Sequence, residues 1–216
     1  AVEVYRRNLM RVVMPIVAIE TAAMMVTWGV PSGIGLLVRL VLGIHQPSVF
    51  DSSVTFVQYA FGLVLGVIVG GFSSAMIYPY LLDLARGRSV ELVDAFSPSP
   101  RWRTAIALVA FQSLALLIGS ALCALPGAAV VLVNIAAMPL LIDHGLEPLT
   151  AVRKSFDYLR AHFVPMLFFG LLSIILTLVG VALCVVGAII VSVPIVMLGQ
   201  VYVYLRLQGE VPVGVA

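Results

Sequence analysis

From Val54 to Leu82 the chain runs for 29 residues without one charged side chain. A helix needs about 20 mainly apolar residues to cross the roughly 30 Å hydrocarbon core of a bilayer. A helix satisfies all of its backbone hydrogen bonds internally, so it is the form in which such a run is stable in lipid. Gly62, Gly66 and Gly70 recur in it at four-residue spacing, a flat strip against which another helix can pack.

The rest of the chain follows the same rule. Hydrophobic residues make up 62% and charged residues 10% of the 216, with a mean hydropathy of +1.16. That is too little polar surface to clothe a water-soluble domain of this length, so the chain reads as a single all-α integral membrane domain, 1–216. The net charge of +2 is spread over short loops and does not form the basic face that nucleic-acid binding requires. Ala rather than Met stands first, so the chain reads as a piece lacking its start, with room for a soluble N-terminal extension. Val2 to Arg11 carries three arginines, but no small-residue cleavage pattern follows, and no signal peptide is read.

Apolar runs predict six spans: Val12–Val30, Val54–Leu82, Thr104–Ala124, a short Gly127–Ile142, Phe163–Leu183 and Val186–Leu205. Pro31-Ser-Gly-Ile-Gly is expected to end the first, leaving Gly35–Ile44 as a re-entrant or interfacial piece. Pro126-Gly127 is expected to make a tight turn. Between Asp83 and Arg103 a short amphipathic piece, Val90–Phe96, precedes the breaker Ser97-Pro-Ser-Pro.

One polar interval has a clear face. Within Met138–Pro165, Leu149, Val152, Phe156 and Leu159 fall at helical spacing, with Arg153, Lys154, Asp157 and Arg160 between them. Gly145 and Glu147-Pro148 mark its start, since proline and an acid both suit a helix N-terminus. A short helix with an apolar stripe and a cationic face predicts a seat on the membrane surface. Arg153, Lys154, Arg160 and His162 are the expected contacts to anionic headgroups.

Orientation follows from the basic residues. With a cytoplasmic N-terminus, Arg39 alone of the twelve Lys and Arg residues falls on the far side, the bias of a protein in the bacterial cytoplasmic (inner) membrane with both termini inside. Internal repetition agrees. Leu117-Ile-Gly-Ser-Ala-Leu-Cys123 matches Leu178-Val-Gly-Val-Ala-Leu-Cys184 at five of seven positions, and Pro79-Tyr-Leu-Leu-Asp83 matches Pro139-Leu-Leu-Ile-Asp143 at an offset of 60. Phe96 and Phe156 share that offset, and an offset of 150 aligns Ala1, Val2, Leu9 and Pro15 with Ala151, Val152, Leu159 and Pro165. These matches predict a surface helix followed by a two-span hairpin, used three times over units 1–87, 88–146 and 147–209, as a parallel pseudo-threefold bundle.

The stretch from Pro126-Gly127 through Ala137–Arg160, with the closing Tyr202-Val-Tyr-Leu-Arg206, resembles a group of poorly characterised bacterial multi-pass proteins. They share the membrane domain that some glycerophosphodiester phosphodiesterases carry. The resemblance is clearest over residues 126–206. It implies six spans with amphipathic cytoplasmic helices and brings no catalytic residues, because catalysis in that group belongs to a separate soluble domain that this chain does not contain.

Polar residues inside the spans form the remaining candidate site. An ionisable group in hydrocarbon is costly and faces protein or water. Glu20 sits nine residues beyond Arg11, near mid-bilayer by the helical rise, with Gln58, Gln112, Asn134 and Gln200 as expected partners. Transport chemistry calls for a second acid and none lies mid-span, so a packing role for Glu20 outweighs a proton or cation site. Interhelical hydrogen bonds likewise outweigh ligand binding for Asn134 and Gln200. Asp83 and Asp143 recur at helix-to-loop boundaries, where nearby arginines such as Arg86 or Arg153 are their expected structural partners. Cys123 and Cys184 occupy equivalent repeat positions near the non-cytoplasmic turns; a disulfide is open there, and the repeat by itself explains the pair. His45, His144 and His162 lack metal-ligand spacing. With no nucleophile elbow, phosphate loop or dinucleotide motif, no enzyme activity, cofactor or metal is expected.

Three functions remain open: a non-catalytic scaffold or accessory subunit working through a membrane partner, an oligomer or lipid; a small transporter or channel using Glu20; and the membrane anchor of an enzyme whose soluble domain is missing.

Overall fold

A computed structural model describes residues 9–41, 49–122, 124–182 and 193–210, and every regular element among them is helical. α1 (Leu9–Met24) passes through a π-helical turn, Met25–Gly29, into α2 (Val30–Val41), and α3 spans Val49–Ala85. A 3-10 turn at Leu92–Phe96 leads to α4 (Trp102–Leu122) and α5 (Ala124–His144). α6 (Pro148–Ala161), α7 (Phe163–Ala182) and α8 (Val193–Leu207) complete the chain. Met10–Val41, Ser53–Ala85 and Trp102–Gly119 are long and apolar enough to cross a membrane, and α6 with α7 forms a fourth candidate bent by 108°. This is a membrane protein.

The first span differs from expectation. Pro31 does not end it: the helical run continues from Met10 to Val41 as one candidate span, so residues 35–41 continue the first helix rather than forming a separate piece. A proline ring clashes with the carbonyl four residues back and removes one helical donor. The π turn at Met25–Gly29 widens the helix just before Pro31, which is where relief is needed. Pro126 also lies inside a helix, within the opening turn of α5, where its missing N–H is an orphan anyway; the expected turn at Pro126-Gly127 is therefore absent. The expected hairpin turn between the fifth and sixth spans, with Cys184, and also Cys123 and the lead-in 1–8, lie outside the described residues.

The core sits toward one end. At about 1.5 Å per residue the 37 residues of α3 extend roughly 55 Å, well beyond the hydrocarbon thickness. Burial is concentrated in its last third, where Ala75, Ile77, Tyr78, Leu81 and Ala85 pack against Val12 and Ile16 of α1, Ile135–Ile142 of α5 and Leu198–Leu205 of α8. The opposite half of α3 and the outer face of α7 keep large apolar side chains exposed, Phe56 at 74% and Phe168 at 72%. Such faces are stable against lipid or another apolar helix.

Three helices finish at the packed end on glycines with left-handed backbone: Gly87 after α3, Gly145 after α5 and Gly209 after α8. Glycine takes that conformation without a Cβ penalty and closes the helix. At Gly145 the absence of a side chain matters twice, because the Arg101 guanidinium fills the space a Cβ would need.

Candidate functional site

The packed end carries an ion-pair network built from the termini of α3, α5 and α8. Just past the end of α3, Arg86 donates from Nη1 and Nη2 to the two carboxylate oxygens of Asp143, each at 2.7 Å. Its Nε and Nη2 also donate to Glu210 at 2.9 and 3.1 Å. This bidentate geometry suits a planar guanidinium better than any other cation. The Tyr204 hydroxyl donates to Asp143 Oδ2 at 2.6 Å and lies 3.1 Å from His144 Nδ1; having spent its own proton on Asp143, it is set to accept from the imidazole. Arg101, ahead of α4, reaches the carbonyls of Ile142 and Asp143 and so ties α4 to the end of α5. The Arg86 guanidinium holds the Asp143 carboxyl below its ordinary pKa, with the Tyr204 phenol adding to the effect. The two carboxylates push Arg86 above its ordinary value in turn. Paired charges this well satisfied favour a clamp over a reactive group.

Asp143 therefore finds its partner across the fold rather than in nearby Arg153, while Asp83 pairs with Arg88 and not with Arg86. Tyr204, Glu210 and Arg101 are the network members that sequence reasoning did not select. The signal that could have found them is the recurrence of a glycine shortly after Arg86, His144 and Gln208, which brings three helix ends to one level.

The five intramembrane polar residues divide into three places. Glu20 lies in the neighbourhood of Tyr78, and Tyr78 donates to the Gln200 side-chain oxygen; α1, α3 and α8 each bring one of these polar side chains. Gln112 and Asn134 line a shared lateral groove between α4, α5 and α6. Gln58 stands apart, 3.4 Å from Ser32 Oγ and against Gly35. Of the glycine strip, Gly62 and Gly66 face Thr27 in the π turn, and Gly70 faces Val109. A tight helix approach falls one residue later, where Gly71 lies directly against the Ile106 backbone.

α6 forms where the periodicity predicts, with Glu147 as its N-cap and Pro148 at its start, but the seated face is shifted: Leu159 and, in part, Val152 of the expected stripe pack against the bundle, whereas Leu149 and Phe156 do not. Ala151, Ser155 and Leu159 are buried, and the Ser155 hydroxyl donates to the Val133 carbonyl of α5. Leu149 and Phe156, expected in the seated stripe, remain 55% and 41% exposed. The small Ala151 and Ser155 allow α6 to approach α5 closely, which bulky Leu149 and Phe156 would prevent. Arg153, Lys154, Arg160 and His162 are all exposed, and the Arg160 guanidinium sits 4.4 Å above the Phe156 ring. Among the described residues no three His, Cys, Asp or Glu gather where they could share a metal ion.

No protein-family model and no solved structure matches this chain. It is similar to an uncharacterized protein of Mycobacterium bovis, 28% identical over 128 residues, a match covering 59% of this chain and 39% of that one. An uncharacterized protein of Mycobacterium tuberculosis strain H37Rv is 29% identical over 132 residues, with the same coverage. The match thus spans about two fifths of the length of these relatives.

Proposed function

We propose that this protein is a non-catalytic multi-pass scaffold or accessory subunit of the bacterial cytoplasmic membrane, working through helix–helix and lipid contacts. The observation that carries the reading is the contrast between its two ends: a core locked by paired charges at one, and helices with exposed large apolar faces at the other. Such faces suit a membrane partner or a second copy. In the full arrangement six spans form three hairpins, each opened by a cytoplasmic amphipathic helix, with both termini cytoplasmic. Support comes from the eleven-to-one distribution of Lys and Arg, from the 108° bend between α6 and α7, and from the meeting of α3, α5 and α8 at one network. The resemblance to the membrane domain of some glycerophosphodiester phosphodiesterases belongs to the same proposal.

Photo-crosslinkers placed at Leu117 and Phe168 in native membranes test it. A discrete adduct with one membrane protein, or with a second copy, is the expected product. Adducts to lipid alone from both positions overturn the scaffold reading.

A transporter or channel is favoured by one observation, the polar side chains of Glu20, Tyr78 and Gln200 contributed by three helices. Solute flux in proteoliposomes that is abolished by Glu20→Gln would replace the first reading with this one. A membrane anchor for a soluble enzyme domain is favoured by the greater length of the mycobacterial relatives, and the full reading frame decides it.

A further inference from the structure

Where α6 crosses α5 it leaves a lateral groove of about 440 Å³ against α4. Phe111, Ala115, Val130 and Val133 make its walls apolar, and Arg153 stands on its rim beside Asp157. Gln112 also lines it, and Gln112 Nε2 is buried with no hydrogen-bond partner among the described residues. Buried amide donors are nearly always paired in folded proteins, so an unpaired one beside a cavity points to a missing acceptor. Arg160 follows Arg153 by seven residues, two turns on the same side of α6, so cations outnumber the single Asp157 along this edge. Exposed Leu149 and Phe156 continue the apolar surface outward.

The combination matches one kind of ligand in its parts. A free anion would leave the apolar walls unused, and an uncharged lipid would leave Arg153 unused. We propose that the groove between α4, α5 and α6 holds one anionic glycerophospholipid, its phosphate at Arg153, an ester carbonyl at Gln112 and an acyl chain along Phe111 and Val130. The assignment rests on the proposed seat of α6 at the membrane surface, and it adds that one lipid is held as a bound component in addition to the general attraction of cations to headgroups.

The test uses the whole chain in nanodiscs of phosphatidylcholine with a minority of phosphatidylglycerol, extracted gently and weighed by native mass spectrometry. The wild type is expected to retain one phosphatidylglycerol per chain. Arg153→Gln should lower its occupancy about fivefold, the change that removing one cation from an anionic surface produces. Gln112→Leu should lower it also, while Arg153→Lys, and Arg206→Gln at an exposed cation of α8 away from the groove, should retain it. Equal retention in Arg153→Gln, or equal loss from Arg206→Gln, overturns the groove, as does displacement of the lipid by excess inorganic phosphate. A Phe156→Trp variant separates the premise from the proposal: quenching by brominated phosphatidylcholine with unaltered retention defeats the groove alone, and an absence of quenching defeats the surface seat of α6 along with it. Circular dichroism on each variant controls for folding, and the Arg153→Gln and Arg153→Lys pair tests the groove independently of Gln112.

Discussion

Arg86 and Asp143, 57 residues apart, meet through two hydrogen bonds of 2.7 Å that join the end of α3 to the end of α5. Their side chains keep only 19% and 17% of their surface exposed. Removing one partner of such a pair leaves the other charge poorly solvated, a cost of about 3 kcal/mol. Arg86→Met should therefore lower the unfolding temperature in detergent clearly. The double variant Arg86→Met with Asp143→Leu should recover part of the loss, because the poorly solvated charge is gone and the partner still left unpaired, Glu210, is 45% exposed.

The same pair sets a dependence on acid. Arg86, and after it Tyr204, hold the Asp143 carboxyl below its ordinary pKa. A folded-state value lower than the unfolded one gives stability that is complete above the ordinary carboxylate range, about pH 4, and is lost as pH falls through the depressed value. Thermal melts should thus show the wild-type advantage over Asp143→Asn constant from neutral pH down to about pH 4 and shrinking below it. An advantage that shrinks instead between about pH 7 and pH 5 would contradict this assignment.

Gly71 and Gly62 should differ as helix contacts. A Cβ at Gly71 would overlap the Ile106 backbone, whereas one at Gly62 would meet Thr27 and Pro31 at 3.6 and 3.7 Å, ordinary packing distances. Gly71→Ala is expected to destabilise by about 1–3 kcal/mol through overpacking. Gly62→Ala should leave the melting temperature nearly unchanged, and the two can be compared side by side in detergent.

Ser155 seats α6 on α5 through the Val133 carbonyl. Ser155→Ala should cost about 1 kcal/mol, the net worth of one hydrogen bond. Ser155→Leu should lift the helix, and hydrogen exchange over residues 148–161 should then quicken far more than in the alanine variant. Equal protection in both would show that the small side chain at this position is not what lets α6 approach.

Much of the architecture was legible residue by residue. The uncharged run from Val54 and the periodicity of Leu149–Arg160 each required a helix, and both helices form. The halt at Pro31 was misread because proline is a breaker only where the helix before it keeps its regular pitch; the π turn at Met25–Gly29 removes that condition. Periodicity also placed Leu149 and Phe156 on the seated face of α6, since hydrophobic bulk is the only local cue. Close packing against α5 instead selected Ala151 and Ser155, whose value is their small size.

The sequence by itself determined that the chain is helical and belongs in a membrane, and which segments are amphipathic. Those properties depend on composition and on spacing along one helix, both local. Only the tertiary structure decided that Asp143 takes Arg86 rather than Arg153, that Glu20 shares its surroundings with Tyr78 and Gln200, and that Gln112 and Asn134 border one groove. Partner choice depends on how far each helix rotates and slides before its small residues meet a neighbour, a property of several helices at once that no single stretch of sequence carries.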